Sequence, residues 1–340
     1  MAGHAINTII GLVSGGLGIL QFGMDNFAAP ETAHSVVRVT VGLDYDGGLS
    51  NSGGDLPDVR LFNEAGDFIG MKVDPGKVQS GSFGEIKVDH DGDNGQQATY
   101  TLLSANNDAI CIAHVTITWP DGDKYAWVGD WGDRCGATWY YSNVYVGGTS
   151  HKPRCMWIDL DGDQPQTGFQ IHWPEFVTDT PEAPSDLDQN YLCNAGPPFR
   201  HYSGFDPRSI TYWVLGNNKK RSTRTRISEV AGEEDVKKRS NDHNNNPEHK
   251  FNDALIINNS LEQSASALCG SHTSVGPDYA NMEEGLFCRM SDKTLFPICD
   301  QHRGIHDNCF DSTLQQLIVN GKAARDSPYK KVTNWGDEKN

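Results

Sequence analysis

Two loops carry carboxylates at alternate positions, Asp89-His90-Asp91-Gly92-Asp93 and Asp159-Leu160-Asp161-Gly162-Asp163. A hard cation such as calcium takes several oxygen ligands, and a glycine lets such a loop bend around it. Asp89, Asp91, Asp93, Asp159, Asp161 and Asp163 are therefore candidate calcium ligands, against the plainer reading of solvated Asp/Gly turns. The twelfth position of an EF-hand falls on Tyr100 and Gln170, which excludes that motif. A second cluster is aromatic: Trp119, Trp127, Trp131 and Trp139, four of the eight tryptophans, lie in one stretch with Tyr141 and Asn143. Flat rings beside Asp and Asn side chains suit a sugar ring or a peptide, so these six residues are a candidate binding platform. The competing reading is a disulfide-pinned core corner, which the large areas that Trp and Tyr bury favour.

Other chemistry is thinly represented. No Gly-x-Ser-x-Gly elbow and no phosphate-binding glycine loop occurs. His302 and His306 have the spacing of metal ligands on a helix, but Gly304 between them weakens the helix. Lys219-Lys220-Arg221 and Lys237-Lys238-Arg239 are of the type cut by kexin-like proteases, making Lys220, Arg221, Lys238 and Arg239 candidate processing residues. Asn258-Asn259-Ser260 is a glycosylation sequon if the chain is exported. The stretch His306-Asp307-Asn308-Cys309-Phe310 resembles the His-Asp-x-Cys-Tyr stretch of secreted phospholipases A2 over those five residues. The resemblance implies His306 as a water-activating base and Asp307 as a calcium-binding carboxylate. The chain departs from that family where Arg303 stands in place of a cysteine and where no glycine-rich calcium loop precedes.

The elements that must position these groups are mainly strands. Val37, Val39, Val41 and Leu43 alternate with Arg38 and Thr40, and Ala113, Val115 and Ile117 alternate with His114, Thr116 and Thr118, as half-buried strands do. Aromatic or β-branched runs follow at 139–146 and 154–160, and turn clusters such as Pro120-Asp121-Gly122-Asp123 separate them. Short strands between regular turns predict an antiparallel β-sandwich over roughly 36–176, with a strap over it that Cys193 pins. The first 30 residues hold a Gly-rich apolar stretch too short to span a bilayer. It reads as a signal peptide lacking a basic start, as a buried β arm, or as a segment inserting shallowly into a membrane.

The full chain of 340 residues carries a net charge of −17, unevenly spread. Residues 1–216 hold a net −16, residues 217–250 a net +3 and residues 251–340 a net −4. The acidic half repels phosphate backbones, so nucleic acid is excluded as its partner. Residues 217–250 are polar and nearly free of large apolar side chains, so they predict a basic flexible linker. The domain plan is therefore an N-terminal segment 1–30, a sandwich with its strap 31–216, the linker 217–250 and a Cys-rich module 251–340. That module is expected to be small, disulfide-rich and α+β or α. Phe251, Leu255, Asn258, Leu261, Ala265 and Leu268 predict a helix ending at Gly270, and a second is predicted over 312–319, capped by Asp311.

Cysteines split evenly across the linker, Cys111, Cys135, Cys155 and Cys193 before it and Cys269, Cys288, Cys299 and Cys309 after it. Even numbers without a close CxxC pair predict two disulfides per module, with three connectivities open in each. The stretches Ala109-Ile110-Cys111-Ile112-Ala113, Gly129-Asp130-Trp131-Gly132 and Glu284-Gly285-Leu286-Phe287-Cys288 resemble predicted proteins of filamentous ascomycete fungi, which implies a fungal origin and no particular activity. The strand pattern also resembles PLAT-type sandwiches, which bind lipids or proteins. The leading expectation is a secreted or surface-associated binding or effector-like protein. It would engage a glycan, a lipid surface or a partner protein through its aromatic and acidic loops, with calcium as the one candidate cofactor. The alternatives are a secreted hydrolase acting near His306 and Asp307, and a membrane-perturbing toxin released by dibasic cleavage.

Overall fold

The computed structural model describes residues 8–13, 16–31, 33–42, 52–92, 96–177, 189–215, 221–227, 251, 253–325 and 328–336. These are mainly β and fall into two compact units that divide near residue 246. The strands of the first unit are β1 Thr8–Val13, β2 Gly16–Gln21, β3 His34–Val41, β4 Gly54–Asp55, β5 Asp58–Phe62 and β6 Phe68–Lys72. They continue as β7 Lys77–Val78, β8 Phe83–Asp89, β9 Tyr100–Ser104, β10 Ile110–Thr118, β11 Lys124–Val128, β12 Trp139–Tyr141 and β13 Arg154–Ile158. The last are β14 Gln166–His172, β15 Phe199–Ser203, β16 Ser209–Leu215 and β17 Arg221–Ile227, with the short helices α1 Asp130–Arg134 and α2 Gln189–Asn194 between.

Two antiparallel sheets form the predicted sandwich, one in the order β12-β13-β10-β3-β8, with β11 also on β10, and the other in the order β15-β14-β9-β5-β6. Val37, Val39 and Val41 of β3 point into the core between them, as their alternation requires. In β10 the alternation breaks. A bulge between Ile112 and His114 moves the inward face from Ile110 and Ile112 to Val115 and Ile117. The outward residues that follow are buried too, because residues 22–28 lie over them: Phe22 meets the His114 ring edge-on at 5.6 Å, Thr116 Oγ1 donates to Asn26 O and Thr118 Oγ1 donates to Ala28 O.

The apolar N-terminus is a β hairpin, β1 against β2, and Ile9, Ile10, Leu20 and Phe22 belong to the sandwich core. The structure therefore takes the buried-arm arrangement. On the far side the β16–β17 hairpin helps cover the second sheet, where Phe62, Tyr100, Leu102, Tyr202, Ile210 and Tyr212 form a smaller cluster. Gln170 is fully buried there with both ends of its amide bonded, to Pro197 O, Thr211 O, Tyr202 OH and Thr211 N–H. Two disulfides staple the unit, Cys111–Cys155 across β10 and β13 and Cys135–Cys193 from the end of α1 to α2.

The second unit holds β18 Ala254–Asn258, α3 Ala265–Gly270, β19 Asp278–Asn281, β20 Leu286–Arg289, β21 Thr294–Pro297, β22 Cys309–Asp311, β23 Gln316–Val319, β24 Lys322–Ala323 and β25 Lys331–Trp335. Its main sheet runs β21-β20-β19-β18-β25, with β18 parallel to both neighbours, so the module is α+β. Cys269–Cys288 and Cys299–Cys309 complete the pairing of all eight cysteines, two bridges per module. No helix among the described residues is long and apolar enough to cross a membrane.

Of the two helix expectations only the end of the first is met, by α3 Ala265–Gly270, which stops at Gly270 as expected. Residues 254–258 form a central strand buried on both faces, so its apolar run has no free face for a helical stripe to reveal. Residues 309–319 form a hairpin that stacks Phe310 on Phe287 at 4.4 Å, and Asp311 Oδ1 caps its turn by accepting from the N–H groups of Thr313 and Leu314. The Asp311 cap was legible, but it starts a turn and not a helix.

Candidate functional site

Tertiary packing withdraws the platform reading for the four clustered tryptophans. Trp119, Trp127, Trp131 and Trp139 are at most 1% exposed. Trp127 lies against Phe169 and Phe199, Trp131 sits edge-on to Phe176 with Nε1 donating to Ile10 O, and Trp139 is covered by the Arg154 guanidinium. Tyr141 is buried beside Trp139, and Asn143 Oδ1 accepts from Lys152 Nζ. Asp130 in the same stretch is a corner post: it accepts from the Arg154 N–H and from His151 Nε2, and Arg154 also pairs with Asp133. Gly129 makes the corner possible, since a Cβ there would meet Arg154 O at 2.4 Å and Ile112 O at 2.6 Å.

The two acidic loops differ. Asp89 is exposed and pairs with His34, Asp91 is exposed, and Asp93 lies outside the described residues. The 159–164 turn, by contrast, is built. It links β13 to β14, and its closure is fixed by Asp159 N–H on Gln166 O and Leu160 N–H on Asn106 O. Asp159 is fully buried, and its Oδ2 accepts from the N–H groups of Gly162, Asp163 and Gln164 at 2.8, 2.5 and 3.3 Å. Its Oδ1, Asp161 Oδ1 and Gln164 Oε1 are buried acceptors without a hydrogen-bond partner. Burial, together with the Asp161 carboxylate within hydrogen-bond reach, pushes the Asp159 pKa up to about 7, against the pull of the backbone N–H groups. Among the described residues no three His, Cys, Asp or Glu side chains converge as a metal site; here two carboxylates meet in a turn that also holds an amide oxygen.

In the second unit a cleft of about 660 Å³ opens between the two hairpin turns, lined by Glu283, Asp300, His302, Arg303, His306 and Asp311 among others. His306 is exposed in it, but Asp307 is not part of the lining; its carboxylate accepts from Gly321 N–H and Asn308 Nδ2. Asp300 orders the loop by accepting from the N–H groups of His302 and Arg303 and pairing with Arg303 Nε. The adjacency in sequence thus sends the His306 and Asp307 side chains to different neighbours. Asn258 is likewise not placed to carry a glycan in the folded unit: it is 1% exposed and its Nδ2 donates to Tyr279 OH and Ser260 O.

Lys220, Lys238 and Arg239 lie outside the described residues, while Arg221 opens β17 and pairs with Leu215 in a ladder. A basic-site protease binds its substrate extended, so residues already held in a ladder are poor substrates. Limited digestion of the folded protein should therefore leave the bond after Arg221 uncut in the early fragments. Mass spectrometry of the early fragments checks this; early cleavage at Arg221 would mean that the hairpin opens readily.

One cluster escaped sequence reasoning because its members come from five separate segments. His172, 2% exposed at the end of β14, stacks on Tyr100 at 4.1 Å, bonds Glu64 through Nε2 at 2.8 Å and lies 3.4 Å from Glu175 through Nδ1. That last contact is an ion-pair distance without hydrogen-bond alignment. Glu175 Oε1 also accepts from Tyr191 OH at 2.9 Å and Trp213 Nε1 at 3.1 Å. The Tyr191 and Trp213 rings are near-parallel, 6.1 Å apart and tilted by 8°, and both are partly exposed. Burial opposes charge on His172, but Glu175 and Glu64 outweigh it and raise its pKa above the ordinary value. Burial would raise Glu175, yet the adjacent His172 ring and the hydrogen bonds from Tyr191 and Trp213 hold its carboxyl below the usual range.

Neither models of known protein families nor the curated proteins contain a match to this sequence.

Proposed function

We propose that the protein is an exported, disulfide-stapled binding protein whose N-terminal sandwich holds a neutral or amino-bearing glycan against the Tyr191–Trp213 face. The observation that carries this reading is the partly exposed, near-parallel ring pair whose polar atoms both donate to one carboxylate. Tying Tyr191 OH and Trp213 Nε1 to Glu175 fixes both rings before a ligand arrives, which lowers the ordering cost of binding. Aromatic faces so held suit the C–H faces of a sugar ring. Glu64, across the His172 ring from Glu175, has a side chain 57% exposed, so its carboxylate is open to hydroxyl groups from solvent. The net −16 of residues 1–216 disfavours polyanionic glycans and phosphate surfaces. Export is supported by four disulfides, which persist in oxidising compartments.

The test is calorimetric titration of the whole protein with neutral, amino and uronic-acid oligosaccharides, alongside Trp213→Ala and the cleft variant His306→Ala. Trp213→Ala should weaken glycan binding about tenfold or more, an effect of about 1.4 kcal/mol, with far-UV circular dichroism unchanged, and His306→Ala should bind as the parent does. Binding that survives Trp213→Ala, or appears only with phospholipid vesicles, would defeat this reading.

A further inference from the structure

We infer that the turn from Asp159 to Gln164 binds a hard divalent cation, calcium by its chemistry, through Asp159 Oδ1, Asp161 Oδ1 and Gln164 Oε1. The inference stands apart from glycan binding, since it rests on other residues. A buried acceptor without a partner costs about 1–3 kcal/mol, and native folds seldom leave several of them in one turn. Here three occur within six residues, all of them oxygens. Asp159 is fully buried and Gln164 is 3% exposed, so neither can satisfy its free oxygen by turning to solvent.

The turn is arranged to keep Asp159 in place. Three backbone N–H groups hold Oδ2, which fixes the carboxylate and leaves Oδ1 buried without a hydrogen-bond partner. Gly162, at φ +105°, supplies the left-handed step that closes the turn without a Cβ, and nothing lies within 4 Å of where that Cβ would be. Two carboxylates within hydrogen-bond reach of one another repel unless they share a proton or a cation.

The ligand chemistry selects among cations. An all-oxygen set of carboxylates and an amide suits calcium or magnesium and not the softer zinc or copper, which take imidazole and thiolate. Calcium accepts six to eight oxygens in irregular geometry, whereas magnesium demands a near-octahedral shell and sheds water reluctantly. Three protein oxygens with solvent completing the shell fit an affinity of roughly 0.1–1 mM, the range of extracellular calcium modules.

The experiment uses the full chain, treated with a chelator and dialysed, at pH 7.5. Thermal unfolding is followed from zero to 10 mM calcium chloride, with isothermal titration of the same salt and magnesium chloride as comparison. Calcium should raise the midpoint by about 3 °C or more, and magnesium by less. Asp161→Asn should abolish the calcium shift while leaving the calcium-free midpoint unchanged or higher, because the like-charge pair is gone. If Asp161→Asn fails to fold, Gln164→Ala is the second variant and should weaken calcium binding several-fold. A parent midpoint indifferent to calcium with no heat of titration would overturn the site and leave the carboxylates sharing a proton. A calcium shift undiminished in Asp161→Asn, or a calcium affinity unchanged in Gln164→Ala, would place the cation elsewhere and overturn it equally.

Discussion

Trp131→Ala is expected to destabilise the N-terminal unit by about 3–5 kcal/mol, the range for removing a fully buried aromatic ring. Trp131 is 0% exposed, meets Phe176 edge-on and donates from Nε1 to Ile10 O, so the substitution leaves a cavity and strips a buried carbonyl of its donor. Against a total of about 5–15 kcal/mol for a typical domain, the loss would be plain in the urea midpoint read by far-UV circular dichroism. A midpoint shifted by less than about 1 kcal/mol would mean that the ring is far less buried than here. The same contact ties the variant to the N-terminal hairpin. Removing residues 1–24 takes Ile9, Ile10, Leu20 and Phe22 out of the core and should itself lower the midpoint. Because Ile10 O is then gone, Trp131→Ala should cost less in the truncated chain than in the full one, a coupling that a double-mutant cycle measures directly. Loss of binding in Trp131→Ala therefore reports unfolding, and Trp213 is the residue that probes contact.

Particular elements show why some of this was legible and some was not. The strand through Val37, Val39 and Val41 was readable because one face is apolar and the other carries Arg38 and Thr40, so a period of two survives in the text. The β10 strand was readable in outline only, since its bulge changes parity at His114 and both faces are buried. Residues 254–258 failed for a related reason: a strand between two parallel neighbours has no polar face, and its apolar run fits a helix as well. The tryptophans illustrate the limit for sites. Sequence density marked them, but whether a ring is presented or buried depends on what lies across from it, and here the opposing groups, Phe169, Phe176, Phe199 and Arg154, come from later in the chain. The 159–164 turn was legible because its ligands are contiguous. The Glu64, His172, Glu175, Tyr191 and Trp213 cluster was not, because only the fold brings residues 64 and 213 to the same place.

His114 takes stability away in mild acid, while Asp159, whose carboxyl burial raises to about 7, holds a proton in the folded state and works the other way. Burial, helped by the Arg38 charge, pushes the His114 pKa from 6.5 to about 3, and its Nδ1 has no hydrogen-bond partner. The folded state therefore keeps the ring neutral down to about pH 3, whereas the unfolded chain takes up a proton below about 6.5. The unfolded state binds more protons in that window, so the contribution is complete above pH 6.5 and is lost as pH falls towards 3. At about 1.4 kcal/mol per pH unit, roughly 3 kcal/mol is gone by pH 4. The urea midpoint of the parent relative to that of His114→Leu, which keeps the volume and removes the titrating ring, should therefore fall from pH 7 to pH 4. His172 works in the opposite sense. Its pKa is raised, so its stabilisation is complete below the unfolded value of 6.5 and is lost as pH rises through the folded value. His172→Gln should therefore lose more stability relative to the parent at pH 6 than at pH 9. A difference between the parent and His114→Leu that stays constant from pH 7 to pH 4 would mean that the folded state protonates His114 as readily as the unfolded chain does.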